Sequence, residues 1–146
     1  MKRLILAALM CVLTLEALPQ STGADYVEVL YFHGKQRCLT CRAIEKYAKE
    51  TVYADFADMV KKKKVRFREV DISTDEGGEL AKKYRVSWSS LYVNRHKGKA
   101  ETRSDMTAYA FKNARSNMTA YAFKNARSNT KAFKDALKQK ITQLLK

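Results

Sequence analysis

The stretch Val29-Leu-Tyr-Phe-His-Gly-Lys-Gln-Arg-Cys38-Leu-Thr-Cys41-Arg-Ala-Ile44 decides how the rest of the chain is read. An apolar, strand-like run ends at Gly34, a short basic loop follows, and two cysteines three apart open a segment of helical periodicity. A thiolate at Cys38, where a helix begins, is stabilised by unpaired backbone N–H groups and the positive end of the helix dipole. Lys35, Arg37 and Arg42 add positive charge close by. Cys41 lies one turn further on, within disulfide reach. A strand, a Cys-x-x-Cys pair and a helix in that order point to thiol–disulfide exchange. Two other readings stay open. The thiols could be half of a zinc site, but tetrahedral zinc usually takes four protein ligands, and the chain offers only His33 and His96, with no second cysteine pair. A purely structural bridge would close a very small loop and gain little from it.

At 146 residues there is room for one domain and one core. The first 24 residues read as a signal peptide: Lys2 and Arg3 precede an apolar run from Leu4 to Leu15, and Thr22-Gly-Ala24 supplies small residues for cleavage after Ala24. The run is short for a membrane span, which needs about 20 apolar residues. A lipoprotein reading at Cys11 is disfavoured by Met10, where a small residue is expected. The expected mature domain, 25–146, keeps an even pair of cysteines and loses the only proline, Pro19. The chain carries 29 basic and 15 acidic residues; without Lys2, Arg3 and Glu16 these become 27 and 14, a net charge of +13. An exported protein with this balance would be drawn weakly to anionic membrane surfaces or acidic partners, nucleic acid is not expected as a partner there, and a basic solvated surface without a dedicated partner is the plainer reading.

Around the cysteines the chain alternates strand and helix signals. Val27, Val29 and Tyr31 lie on one side of the first strand and Leu30 and Phe32 on the other, as expected at the centre of a covered sheet. From Cys38 to Val60 apolar positions recur at threes and fours, which predicts one long amphipathic helix ended by Lys61 to Lys64. Val65 to Ile72 reads as a strand. Ser73-Thr-Asp-Glu76 reads as a capping box opening a short helix, with Gly77 and Gly78 weakening its first turn. Val86 to Val93 is predicted as a third strand, Asn94 to Gly98 as a polar turn and Lys99 to Arg103 as an exposed fourth strand. Thr130 to Leu145, with Phe133, Leu137 and Ile141 at helical spacing, is predicted as the closing helix. This order predicts an α/β fold with helices on both faces of a mixed sheet.

Met106 to Asn117 recurs without a change as Met118 to Asn129. Two identical dozens point to a tandem duplication, since solenoid repeats are longer and imperfect and need three or more copies. On one straight helix the second copy would face about 120° away from the first, so separate short helices are expected. The sequon Asn117-Met-Thr119 across the junction is read as accidental.

With these elements in this order, the chain resembles the thioredoxin superfamily over nearly its whole mature length, apart from the repeat. More narrowly, Tyr31-Phe-His-Gly34, Arg37-Cys38-x-x-Cys41 and Ile44-Glu-Lys46 resemble small exported bacterial proteins described as thioredoxin-like subunits of a nitrophenyl-compound nitroreductase encoded in arsenic-resistance clusters. The resemblance implies a thioredoxin-like three-layer sandwich with about four strands, the Val65 to Ile72 strand central. It implies no cofactor, and a protein thiol or reductase complex as partner. Two departures stand out. Thioredoxins place a cis-proline beside the cysteines, and the matching place here, within Val86-Ser-Trp-Ser-Ser90-Leu91, falls at Ser90. Arg37 and Leu39-Thr40 replace the usual Trp before the first cysteine and the usual Gly-Pro between the two. Trp88, Ser89 and Ser90 are candidates for the recognition groove, with Trp88 equally suited to packing.

In the mechanism this implies, Cys38 is the exposed sulfur that forms a mixed disulfide with a partner, and Cys41, more buried, resolves it. His33 is close enough in sequence to assist proton transfer, or to sit as a plain strand-end histidine. The rival from another class is a soft-metal or metalloid binder using Cys38, Cys41 and His33, since thiolates prefer soft ions and no proline shields them. A third reading is a non-catalytic subunit docking through its basic surface and C-terminal helices.

Overall fold

The computed structural model describes residues 25–114 and 130–146. The leader expected over 1–24, the second repeat copy at 118–129 and the sequon lie outside them.

Four strands form one mixed sheet in the order β2-β1-β3-β4. β1 (Tyr26–His33) runs parallel to β2 (Val65–Asp71) and antiparallel to β3 (Ser90–Lys97), which pairs antiparallel with β4 (Ala100–Asp105). β1 is flanked on both sides and buried along nearly its whole length, as its doubly apolar sequence predicts. Val27, Val29 and Tyr31 face a core built with α1 (Leu39–Glu50), α4 (Thr107–Asn113) and α5 (Thr130–Leu145). Leu30 and Phe32 face the other layer, α3 (Asp75–Tyr84), through Ala81 and Tyr84. Helices therefore cover both faces, and the architecture is a thioredoxin-like α/β sandwich. Phe133, Leu137 and Ile141 of α5 are fully buried at four-residue spacing, each such side chain contributing about 1.5–3 kcal/mol of burial.

Four expectations need correction. The predicted helix from Cys38 to Val60 is three pieces: α1, a π-helical turn at Thr51–Asp55, and α2 (Ala57–Lys61). The buried positions Ile44, Ala48, Val52 and Phe56 are spaced by strict fours, which on a regular α-helix drift by about 40° per step. One wider turn brings Val52 and Phe56 back onto the core, and the Thr51 hydroxyl donates to the Tyr47 carbonyl at 2.8 Å where it begins.

The Val65–Asp71 strand is not central but forms an edge of the sheet, and Arg66, Arg68 and Glu69 on it are exposed. The cap of α3 is Thr74, whose hydroxyl accepts from the Gly77 amide at 3.1 Å, because Ser73 is engaged by the Asp71 carboxylate. Lastly, β3 starts at Ser90, not Val86, and runs on to Lys97. The turn sits at Gly98, whose φ of +59° a side chain would resist, and it displaces β4 to Ala100–Asp105.

Candidate functional site

β1 delivers the chain to the site. It ends at His33, where register pairs Phe32 with Val70 of β2 and with Ser90 of β3. The chain then leaves the sheet through Gly34 and a loop to Cys38, the N-cap of α1, with an extended backbone (φ −69°, ψ 165°). The Cys38 sulfur takes the place of a capping oxygen and accepts the Cys41 amide at 3.1 Å. Cys38 and Cys41 are joined as a disulfide, with Cα atoms 5.1 Å apart. Their surroundings differ: Cys38 is exposed, whereas Cys41 is only 7% exposed. An attacker can reach the first sulfur and not the second.

Behind the disulfide, the fully buried Tyr31 donates its hydroxyl to the Cys41 carbonyl at 2.9 Å. Burial raises its phenol above the ordinary value, opposed by a hydrogen bond with Ser89. Ser89, in the loop before β3, is thereby brought to the back of the cysteine turn. Ser90 is also buried and donates to the Trp88 carbonyl at 3.2 Å. No peptide bond among the described residues is cis. Trp88 stays 59% exposed, its ring leaning on Phe111 with centroids 5.1 Å apart, and it borders a hollow of about 300 Å³ with Ser90 and Thr107.

In front of the disulfide lies charge. Arg37 pairs with Glu45 of α1 and reaches His33 Nε2 at 3.1 Å. Glu45 is shared with Lys49 at 3.5 Å, and Lys49 continues to Glu69 on β2. The Lys49 ammonium is held above its ordinary pKa by its hydrogen bond to Glu69. For Glu69, burial works against ionisation, but the hydrogen bond and charge of Lys49, with the Glu45 hydrogen bond and the Arg37 charge, together outweigh it and lower the carboxyl. Lys35, Arg37, Arg42, Glu45 and Lys46 line an open hollow of about 510 Å³. The first turn of α1 holds no acidic residue, so nothing on it offsets the positive end of the helix dipole.

The structure thus brings Lys35, Arg37 and Arg42 together in one hollow at the start of α1, and Ser89 to the Tyr31 hydroxyl that holds the Cys41 carbonyl. Trp88 is tied to α4. His33 is buried at the end of β1, with Nδ1 3.1 Å from the Gly34 carbonyl and Nε2 facing Arg37. With Arg37 donating to Nε2, the ring is in the Nδ1–H tautomer and both nitrogens are occupied. In this disulfide form the sulfurs of Cys38 and Cys41 bond to each other, and the His33 imidazole faces Gly34 and Arg37. Among the described residues no three His, Cys, Asp or Glu side chains are grouped to hold a metal.

Sequence reading missed Tyr31, Glu45 and Lys46. Glu45 and Lys46 could have been found from their place one turn beyond Cys41 on the polar side of α1. For Tyr31, a phenol on an otherwise apolar strand carried no cue to its partner ten residues away.

No protein-family model matches the chain, and no curated protein does. Among solved structures the chain is similar to a malarial protein, at 22% identity over 80% of this chain and 97% of that one, with a TM-score of 0.41. It is also similar to a thioredoxin from Thermus thermophilus, at 18% identity over 78% of this chain and 72% of that one, with a TM-score of 0.42.

Proposed function

We propose that this protein exchanges disulfides with thiol partners outside the cytoplasm, after loss of residues 1–24, as an electron-carrying subunit or donor to a reductase system. The observation that carries the exchange reading is the asymmetry of the pair: Cys38 is exposed at the N-terminus of α1 and bonded to a buried Cys41. In the reduced protein the unpaired amides and dipole of α1 favour the Cys38 thiolate. This thiolate attacks a partner disulfide, forming a mixed disulfide and releasing one partner thiolate. Cys41 then attacks Cys38, releases the second thiolate and re-forms the protein disulfide, so two electrons pass to the partner. The export reading rests on the charged, apolar and small-residue pattern of 1–24, and the basic balance of the chain supports weak attraction to anionic surfaces.

The test is a trapping experiment. Cys41→Ser should accumulate mixed disulfides at Cys38 that thiol reagents release, and Cys38→Ser should accumulate none. Equal trapping by both variants, or by neither, counts against the assigned roles.

A further inference from the structure

We infer that the pair acts on anionic disulfides, whose carboxylates are held in the basic hollow lined by Arg37 and Arg42, the neighbours of Cys38 and Cys41 in the chain, where the Arg42 amide donates to the Cys38 carbonyl at 3.1 Å. This deepens the exchange reading above and rests on it. Arg37 is paired with Glu45, so Lys35, Arg42 and Lys46 are the cations left facing an incoming ligand. Lys46 is 67% exposed, with a loose 3.9 Å ion pair to the half-exposed Glu50 and its ammonium 5.6 Å from the centre of the Tyr47 ring. The positive end of α1 opens on the same side, with no carboxylate in its first turn to neutralise it. At about 510 Å³ the hollow is of the size that accepts a small molecule or a few residues of a peptide. Leu39, 62% exposed between the cysteines, offers an apolar shoulder to the methylene groups beside a substrate sulfur.

Charge on this rim acts on encounter and orientation. A substrate carboxylate in the hollow holds its disulfide against Cys38 before attack. The Cys38 thiolate then displaces one anionic thiolate, and Cys41 displaces the second while closing the protein disulfide. A cationic disulfide meets the same sulfur but is repelled by Lys35, Arg42 and Lys46.

The experiment uses the reduced protein with glutathione disulfide, which is anionic, and cystamine, which is cationic. Each rate is divided by that of dithiothreitol with the same disulfide. Two peptides bearing one mixed disulfide, flanked by glutamates or by lysines, form a second series. The expected result is a preference for the anionic member of at least about tenfold at low ionic strength. It should shrink toward equality in about 1 M salt and in the Arg42→Glu, Lys46→Glu double variant. Because the ratio compares substrates on one protein, a changed Cys38 reactivity in the variant cancels from it. A preference among the small disulfides assigns the hollow to small anions, and one confined to the peptides assigns it to acidic segments of a partner protein. Equal normalised rates in both series overturn the inference while leaving exchange intact. No reaction with any of the four disulfides overturns the exchange reading itself.

Discussion

The hydroxyl of Tyr31 is bonded to the backbone carbonyl of Cys41 at 2.9 Å, so the centre of the sheet directly holds the turn that carries the resolving cysteine. Tyr31→Phe keeps the ring and removes the donor. The expected loss is about 1 kcal/mol of stability, read from the urea midpoint. The same variant should show faster amide exchange at the start of α1, and unchanged exchange there would mean that the bond does not steady the cysteine turn.

Arg37 and Glu45 form an ion pair in front of the cysteines, and their fields at Cys38 oppose each other. Arg37→Ala should raise the Cys38 pKa by roughly a few tenths to one pH unit, and Glu45→Gln should lower it by a similar amount. The double variant should lie near the wild type. Thiolate absorbance of the reduced protein checks all three, and single variants that leave the pKa in place would remove this pair from the site's electrostatics.

Gly77 and Gly78 are adjacent in α3 but differ in what a side chain would meet. A Cβ at Gly77 would come within 1.9 Å of the Asp71 carbonyl oxygen, whereas at Gly78 the nearest atom is the Ile72 carbonyl oxygen at an ordinary 3.5 Å. Gly77→Ala should therefore cost about 2 kcal/mol or more through overpacking against backbone. Gly78→Ala should be neutral or stabilise by up to about 1 kcal/mol through helix propensity. Equilibrium unfolding of the two variants separates these effects, and equal costs would contradict the close approach at Gly77.

Glu101 on β4 accepts from the Tyr84 hydroxyl and from Arg103 at 2.7 Å, with Lys83 at 3.5 Å. Burial works against its charged form, but the hydrogen bonds from Arg103 and Tyr84 and the nearby positive charges outweigh it and bring its pKa down from 4.5 to about 2. A carboxyl depressed on folding contributes stability above its unfolded pKa and loses it as pH falls through the folded one. Stability should thus decline from about pH 4.5 toward pH 2, with about 1 kcal/mol traceable to this group after solvent screening. Glu101→Gln should flatten that part of the acid-unfolding curve, and parallel curves for variant and wild type would contradict the linkage.

What could be read in advance divides along physical lines. β1 and α5 were legible because their periodicity is unbroken: Val27 to Phe32 is apolar on both sides, and Phe133, Leu137 and Ile141 repeat by fours. The π-helical turn at Thr51–Asp55 was not, because fours and threes look alike until the drift of Ile44, Ala48, Val52 and Phe56 is followed to its end. Ser73 and Thr74 are both capping types, and only the competing bond from Ser73 to Asp71 separates them. At the site, Cys38 and Cys41 were legible from spacing and from the helix that follows. The pairing of Arg37 with Glu45 was hidden, since Arg37 lies before the helix and the usual one-turn spacing rules do not reach it. His33 was visible as a residue, but its commitment to Gly34 and Arg37 depends on how the loop closes.

The measurement that tests the central claim most directly is the reduction potential of the Cys38–Cys41 pair, by thiol trapping across glutathione and dithiothreitol buffers. The expected result is a reversible two-electron transition at about −120 to −270 mV, the range of thiol-exchange proteins. A disulfide that stays closed below about −300 mV, or cysteines that never pair within one chain, would contradict disulfide exchange as the work of this site.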